Sequence, residues 1–215
     1  SAYAQRKLAV VPAAGGPARL LTASLDRGVG GPVLFTQDGK GLVFSVEDDR
    51  TEWIGRVPLA GGEAERLTTG PRVVQSPSRG PGGRLAVLAA TASELPEVCA
   101  LENGTLRRPS RQNGAWLGEV RLGTTEEMSF ESRDGVKVHG LVVKPAGYTA
   151  GKKYPALLFI HGGPNGQDEH AFSFERELLA ANGYVVLAVN YRGSSGRGAA
   201  FQKAIHADWG RKEVL

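Results

Sequence analysis

Short apolar segments separated by glycine-rich turns make up the first half of the chain. The segments are rich in residues that favour extended backbone, and Gly, Pro, Asp and Ser punctuate them. This pattern predicts β-strands at residues 33–36, 42–46, 52–58 and 64–68. After residue 123 the pattern changes, and longer uninterrupted apolar runs take over.

A sequence repeat organises the predicted strands. The motif Val-Pro-Ala-Ala-Gly-Gly at residues 11–16 recurs 46 residues later as Val-Pro-Leu-Ala-Gly-Gly at 57–62, and a Leu-Thr pair follows each copy. A weaker third copy covers residues 98–110. Four strands in a repeat of this length are typical of a propeller blade. We therefore predict that residues 1–123 form the C-terminal blades of a partial, all-β propeller; an ordinary antiparallel sandwich is the alternative.

The second half combines strand and helix signals. Asp134-Gly135 is the commonest type of two-residue hairpin turn. The apolar runs 156–160 and 184–189 are of the kind expected for strands buried on both faces, and residues 174–181 carry apolar side chains at helical spacing between them. A strand-helix-strand unit predicts parallel pairing and an α/β layer. A second helix is predicted over 199–206.

The junction between the first of these apolar runs and the next segment is the strongest functional signal. His161-Gly162-Gly163-Pro164 follows the run directly. Consecutive glycines at the carboxyl end of a buried strand expose backbone N–H groups where a developing oxyanion can be held, as in the HGGG-type loops of α/β hydrolases. Glycines that merely permit a tight turn are the alternative. We expect His161 to fix the loop by hydrogen bonding rather than to act as a general base.

Other chemical motifs are weaker. His139, His170 and His206, with Asp168 and Asp208 nearby, show no metal-ligand spacing such as HExxH, so no metal site is predicted. The glycine-rich segment 190–198 matches neither a dinucleotide fingerprint nor a P-loop, and no cofactor is predicted. It also lacks the G-x-S-x-G pattern of a nucleophile elbow, as does every other serine of the chain. Arg192 is interpreted as a buried ion-pair anchor rather than a substrate clamp.

Charge and cysteine content exclude few functions. The formal charge is +4, and residues 1–123 carry 15 basic and 12 acidic side chains against 11 and 10 in the remainder. Such an even spread predicts neither nucleic acid nor a membrane as a partner. Cys99 is the single cysteine, so no internal disulfide is available. The compartment stays open, with the cytoplasm favoured.

An ordered set of motifs resembles the prolyl oligopeptidase family of serine peptidases, and within it the acylaminoacyl-peptidase-like branch. The motifs are Ser132-Arg133-Asp134-Gly135, Gly140-Leu141, Lys144-Pro145, Tyr154-Pro155, His161-Gly162-Gly163-Pro164, Asn190-Tyr191-Arg192-Gly193-Ser194 and Asp208-Trp209-Gly210. The resemblance implies an internal fragment: the end of a β-propeller in residues 1–123, and the N-terminal portion of an α/β-hydrolase catalytic domain in residues 124–215.

The same resemblance assigns roles to the glycine loop. It implies that Gly163 donates a backbone N–H to the tetrahedral intermediate, with Gly162 and His161 as further members of the oxyanion loop. The nucleophile, aspartate and histidine of the Ser-Asp-His triad correspond to positions beyond Leu215. We therefore expect the 215-residue chain to be inactive alone.

The function expected from these features is part of a serine peptidase that hydrolyses short peptides, of the acylaminoacyl, dipeptidyl or oligopeptidase type. The expected partners are a short peptide substrate and the remainder of the same polypeptide, and a homo-oligomer is compatible with the sequence. Two alternatives stay open: a carboxylesterase-like hydrolase, and a non-catalytic propeller interaction module.

Overall fold

A computed structural model describes residues 3–214, and its strands form a two-stranded, an eight-stranded and a four-stranded sheet. For description, residues 3–123 are called the first unit and residues 124–214 the second unit. The strands of the first unit are β1 (Ala9–Val10), β2 (Arg19–Leu20), β3 (Gly28–Phe35), β4 (Gly41–Asp48), β5 (Thr51–Pro58), β6 (Glu65–Arg66), β7 (Val73–Arg79), β8 (Leu85–Thr91), β9 (Glu94–Glu102) and β10 (Thr105–Arg107).

The sequence repeat reappears as repeated hydrogen bonding. Gly15 and Gly61 have φ angles of 87° and 97°, and each donates its N–H to the carbonyl of a proline three residues earlier, at 2.9 and 3.0 Å. Thr22 and Thr68 also correspond: their hydroxyls accept the backbone N–H groups of Leu8 and Ile54 at 2.9 and 3.0 Å. Residues 46 positions apart therefore form the same turn and the same side-chain bond.

The predicted fold class, propeller blades followed by the start of an α/β-hydrolase domain, is wrong for the described residues. Strands β3 to β10 belong to one eight-stranded sheet, because β5 and β7 pair in parallel at Glu52 and Val73 and join the two repeats edge to edge. Residues 3–214 are mostly β-sheet with three short α-helices, and their sheets do not close into a propeller.

Two apolar clusters hold this first unit together. One surrounds Phe44 and Trp53, and the other contains Ile54 and Val74. Phe44, Ile54 and Val74 are fully buried. Successive residues of a strand point to opposite faces, so Trp53 and Ile54 of β5 bury one cluster on each side of the sheet.

The second unit contains the four-stranded sheet. Its elements are β11 (Thr124–Glu131), β12 (Lys137–Lys144), β13 (Ala156–Phe159), α2 (Phe174–Ala181), β14 (Val185–Asn190) and α3 (Ala199–Lys203); α1 (Gly114–Glu119) precedes them. The strand order is β11-β12-β14-β13, with antiparallel pairing except between β13 and β14. The structure confirms the hairpin at Asp134-Gly135 and the parallel strand-helix-strand unit. The second helix, predicted over 199–206, ends at Lys203.

The burial of β13 and α2 differs from the expectation. β13 was predicted to be buried on both faces, but it is an edge strand of the described sheet and exposes Leu158 at 60%. The apolar stripe of α2 also faces outward, with Phe174 63% exposed, while Arg176 is buried. Large apolar side chains are therefore exposed on two surfaces. Leu158 lies on the face of the sheet opposite α2, because Phe159 is the residue that packs with α2, whereas Phe174 and Leu178 lie on the outer side of α2. Ile160, just beyond β13, is also exposed. Within residues 3–214, no helix is long and apolar enough to cross a membrane.

Candidate functional site

Two loops meet at one edge of the second unit. The loop of residues 160–173 follows β13, and the loop of residues 191–198 follows β14. Because β13 and β14 are parallel neighbours, their carboxyl ends lie side by side, and so do the loops that leave them. The backbone N–H of Ser195 donates to the carbonyl of Gly166 at 3.0 Å and ties the loops together.

Gly163 occupies a conformation that requires glycine. Its φ is +134°, and a Cβ at this position would lie 2.7 Å from the backbone nitrogen of Asn165 and 3.2 Å from that of Gly166. Gly163 is exposed, and within residues 3–214 no acceptor receives its N–H. An exposed and unused backbone donor is what an oxyanion site needs.

Gly162 is also exposed, but the space around it is different. A Cβ at Gly162 would meet no atom within 4 Å, and its φ lies outside the left-handed region. Its carbonyl, rather than its N–H, is engaged, since Nδ1 of His161 lies 3.0 Å from that oxygen. The two glycines predicted together for this loop are therefore not equivalent.

His161 makes several contacts at the start of the loop. Its ring stacks on Tyr191 at a centroid distance of 4.7 Å, and the Tyr191 hydroxyl donates to the carbonyl of His161 at 2.7 Å. Burial raises the pKa of Tyr191, with the carboxylates of Glu213 and Asp168 acting in the same direction, so the hydroxyl keeps the proton that it donates. The ring and the backbone of His161 are thus both held by one tyrosine.

The pair formed by His161 and Ser194 does not have the geometry of a catalytic dyad. Nε2 of His161 lies 2.9 Å from Oγ of Ser194. A carbonyl can only accept, so in the neutral ring Nδ1 carries the proton that faces Gly162, and the Ser194 hydroxyl donates to Nε2. However, Ser194 is fully buried, and the ring is oriented by a carbonyl rather than by a carboxylate. This bond holds two loops together and leaves no hydroxyl open to a substrate.

A second set of bonds anchors the far end of the same loop. Asn190, at the end of β14, accepts the backbone N–H of Asp168 at 2.7 Å and donates its own amide N–H to the Asp168 carbonyl at 2.9 Å. The Asp168 side chain pairs with Arg176 of α2 at 3.4 Å. Burial raises the pKa of Asp168 against the opposing effect of Arg176, and burial lowers the pKa of Arg176.

Glu169 is the most strongly perturbed carboxyl of this region. Burial, assisted by the nearby carboxylates of Glu52 and Glu47, raises its pKa to about 7, while a bond from Gln167 opposes the shift. Burial also raises the pKa of Glu52. Glu169 belongs to the second unit and Glu52 to the first, so these acidic side chains lie where the two units meet.

Arg192 is a buried anchor, in agreement with its interpretation from the sequence. Its guanidinium pairs with Asp134 in the β11–β12 turn, and its Nε donates to the carbonyl of Lys212 at 2.7 Å. The bond from Arg192, followed by that from Ser132, lowers the pKa of Asp134 to about 2. Arg192 therefore ties the loop after β14 to a hairpin turn and to the end of the described chain.

The remaining histidines lie apart from one another. His139 pairs with Asp49 at 2.8 Å, His170 pairs with Glu127 at 2.9 Å, and His206 packs edge-on against an aromatic ring. Burial lowers the pKa of His170, against the effect of Glu127. In the part of the chain that the structure describes, no three His, Cys, Asp or Glu side chains are grouped to hold a metal ion.

Sequence reasoning missed one element of this site, the turn between β4 and β5. Asp49 and Arg50 form its tip and contact the second unit through Gly196, Gln167 and His170. Asp49 and Arg50 both have positive φ, at 32° and 67°. The Asp-Asp-Arg-Thr sequence predicts a turn here, but no local signal tells what the turn touches more than a hundred residues away in sequence.

Comparisons with known proteins converge on one family. The model of the prolyl oligopeptidase family matches residues 170–215. The uncharacterized peptidase YuxL of Bacillus subtilis is 28% identical over 196 residues, which cover 90% of this chain and 30% of that protein. Dipeptidyl aminopeptidase BIII of Pseudoxanthomonas mexicana is 29% identical over 215 residues, which cover 95% of this chain and 31% of that protein.

Solved structures show the same relationship at the level of the fold. An acylaminoacyl peptidase of Pyrococcus horikoshii superimposes with a TM-score of 0.83 at 22% identity, over 97% of this chain and 32% of that one. An acylaminoacyl peptidase in complex with Z-Gly-Gly-Phe-chloromethyl ketone superimposes with a TM-score of 0.81 over 93% of this chain and 31% of that one. The chain thus spans about a third of the length of these relatives.

Proposed function

We propose that this chain is part of a serine peptidase of the prolyl oligopeptidase family, whose model matches residues 170–215, and that its glycine loop supplies one half of an oxyanion hole for peptide hydrolysis. Gly163 is the donor. Its N–H is exposed and unused within the described residues, and its φ of +134° fixes the direction of that N–H. Removing one such donor typically costs about 2.7 to 4 kcal/mol of transition-state stabilisation.

His161 and Gly162 are proposed to support the Gly163 N–H without binding the oxyanion themselves. The stacking of His161 on Tyr191 and its bond to Ser194 fix the start of the loop. Gly162 leaves open space beside Gly163, since a Cβ there would contact nothing within 4 Å. A tetrahedral intermediate needs such space to approach a backbone donor closely.

The catalytic triad is proposed to lie in the remainder of the same polypeptide. Within residues 3–214, the serine that is hydrogen-bonded to His161 is Ser194, which is buried and cannot attack a substrate. The relatives are about three times as long as this chain, which leaves room for the missing groups. We propose that the boundary between residues 123 and 124 separates two domains of that polypeptide, the second of which is completed by later residues.

Exposed apolar side chains at the free edge of the sheet support this proposal. Leu158 and Ile160, exposed at 60% and 65%, lie on and just beyond the edge strand β13, and Phe174 and Leu178 are exposed on the outer side of α2. Exposed apolar surface of this kind is typical of places where another segment packs. The occupant that we propose is the later part of the same polypeptide, which would add elements beside β13.

The proposed substrates are short peptides of the acylaminoacyl or dipeptidyl type. The relatives at both the sequence and the structure level carry these names, and one of them is seen in complex with a peptide chloromethyl ketone. Which of these peptide classes is cleaved depends on side chains that bind the substrate on either side of the scissile bond. The glycine loop itself recognises only the developing oxyanion.

A fluorophosphonate probe tests the proposal, because it labels an activated serine. The parent polypeptide should be labelled and should hydrolyse acylaminoacyl or dipeptidyl anilides in preference to simple esters, whereas the 215-residue chain should not be labelled. Labelling of this chain alone would disprove the location of the nucleophile. A preference for simple esters would favour a carboxylesterase, and an unlabelled, inactive parent would favour a non-catalytic protein.

A further inference from the structure

The β4–β5 turn reaches from the first unit into the two loops of the candidate site. The backbone N–H of Asp49 donates to the carbonyl of Gly196 at 2.9 Å, and the backbone N–H of Arg50 donates to Oε1 of Gln167 at 3.0 Å. In return, His170 donates its backbone N–H to the Arg50 carbonyl at 2.8 Å. The turn therefore bonds to both loops through its backbone.

Gln167 is the centre of this contact. Its Oε1 accepts from Arg50, and its Nε2 donates to the carbonyl of Thr51 at 3.1 Å and to Glu169 at 3.3 Å. The side-chain amide of Gln167 therefore binds both a backbone N–H and a backbone carbonyl of the turn, and these two bonds hold the turn against Gln167. Gly163 lies only four residues before Gln167.

The β4–β5 turn has a strained backbone, and the side-chain bonds that Asp49 and Arg50 make to the second unit explain why this strain is retained. Both central residues of this hairpin have positive φ, a conformation for which Asn-Gly or Asp-Gly is preferred, yet Arg stands at the second position. The side chain of Arg50 reaches Glu127 at 3.4 Å and the carbonyl of Gly140 at 3.4 Å, and Asp49 pairs with His139. A glycine would relax the backbone but would lose these bonds. Strain held in place by its surroundings is typical of functional positions.

Gly196 shows how closely the turn fits. A Cβ at Gly196 would overlap Oε1 of Gln167 and would lie 2.8 Å from the backbone nitrogen of Asp49. The preceding residue, Ser195, donates its backbone N–H to the carbonyl of Gly166 at 3.0 Å. A displacement of the turn would therefore shift the glycine loop along two routes, through Gln167 and through residues 195–196.

We infer that the β4–β5 turn positions the proposed oxyanion loop, with Gln167 as the positioning residue that links them. This inference rests on the proposed function of Gly163. It makes the first unit part of the catalytic geometry, because the direction of the Gly163 N–H then depends on a turn that belongs to the other sheet. Gln167 itself touches no reacting atom.

Replacement of Gln167 in the parent polypeptide tests the inference. For Gln167→Ala we expect kcat on a peptide anilide to fall about 10- to 100-fold, the size of effect that a small misplacement of a catalytic group produces, with KM changed less than about twofold. The affinity for a peptide aldehyde, which forms a tetrahedral adduct, should fall in parallel with kcat. The exposed residue Gln37 offers the matched control, and Gln37→Ala should change none of these values.

Two further measurements keep the test decisive. Hydrogen exchange should show faster exchange of the hydrogen-bonded amides of Gly166, Asp168 and His170 in Gln167→Ala at an unchanged melting temperature. If Gln167→Ala does not fold, Gln167→Met replaces it, because methionine keeps the length of the side chain but neither accepts from Arg50 nor donates to Thr51. Unchanged kcat and unchanged aldehyde affinity in a folded variant would overturn the inference, whereas a wild-type parent that is inactive towards peptides would instead refute the proposed function.

Discussion

The Gly-Gly pairs of the repeat and the pair in the loop after β13 all contain a glycine with positive φ, but they differ in how closely the chain packs around that glycine. In the repeat of the first unit, Gly15 and Gly61 donate their N–H groups to proline carbonyls within tight turns. In the loop after β13, a Cβ on Gly163 would collide with backbone atoms, and its N–H has no acceptor in residues 3–214. Gly16 and Gly62, the second glycines of the repeat pairs, are also exposed and have no acceptor for their N–H in residues 3–214, so the close backbone packing around Gly163 is what distinguishes it.

The two regions also differ in the polarity of the side chains that surround them. In the second repeat turn, Val57 belongs to the apolar cluster around Phe44, and Leu59 packs against it. The loops of the second unit lie against buried or half-buried charges, including Asp168, Arg176 and Glu169. Burial of charge lowers stability unless it is compensated. The first region is therefore built for stability, and the second tolerates a loss of stability for the sake of its geometry.

The largest effect is expected from Gly163→Ala in the parent polypeptide. The added methyl group would displace the loop, and kcat/KM should fall about 10²- to 10³-fold, as expected for the loss of one oxyanion donor. Steady-state kinetics on a peptide anilide measure this. Gly151→Ala is the matched control, since Gly151 also has positive φ, at +84°, but open space around it. An equal loss of activity in both variants would remove the distinction between the two kinds of glycine.

A smaller effect is expected from Glu169→Gln, which removes a buried charge. The pKa of Glu169 is raised from 4.5 to about 7, so the folded state binds the proton more tightly than the unfolded state. Wild-type stability should therefore fall as pH rises from 4.5 to 7, and the full cost of about 3 kcal/mol is present above pH 7.

Urea unfolding at two pH values tests whether the stability of the wild type falls as pH rises. Glu169→Gln should be more stable than the wild type by about 3 kcal/mol at roughly pH 8 and nearly equal to it at roughly pH 4. The exposed Glu175 of α2 provides the control for the substitution itself, and Glu175→Gln should change the free energy of unfolding by less than about 0.5 kcal/mol. A gain of the same size at both pH values would show that packing, not charge, limits stability here.

The smallest effect is expected in the repeat. Gly61→Ala places a Cβ at a φ of +97° and should lower the free energy of unfolding by about 1 to 2 kcal/mol, with kcat of the parent unchanged. Gly118→Ala, a substitution in α1 with open space around it, should instead raise stability slightly. A marked loss of kcat in Gly61→Ala would contradict the separation of the two regions.

Local patterns predicted the strands and the hairpin at Asp134-Gly135, because each depends on neighbouring residues. The parallel pairing of β13 with β14 followed from the strand-helix-strand order, which constrains the pairing of strands that are distant in sequence. The propeller was a global inference from the repeat, and the parallel contact of Glu52 with Val73 contradicts it by joining the repeats into one sheet. Burial of β13 was also wrong, since exposure depends on what packs beside the strand.

The candidate site shows the same limit. The order of strand and glycines was enough to place His161, Gly162 and Gly163 in one loop. The role of Gln167 and of the Asp49-Arg50 turn was not accessible, because their bonds join residues more than a hundred positions apart. Contacts between distant segments follow from tertiary packing and leave no periodic trace in the sequence.

The most direct measurement is a crystal structure of the parent polypeptide with a peptide chloromethyl ketone or a peptide boronic acid bound to its catalytic serine. The account predicts that the backbone nitrogen of Gly163 lies about 2.7 to 3.1 Å from the oxyanion oxygen. A structure in which other donors hold that oxygen, and in which the Gly163 N–H points away from it, would contradict the central claim.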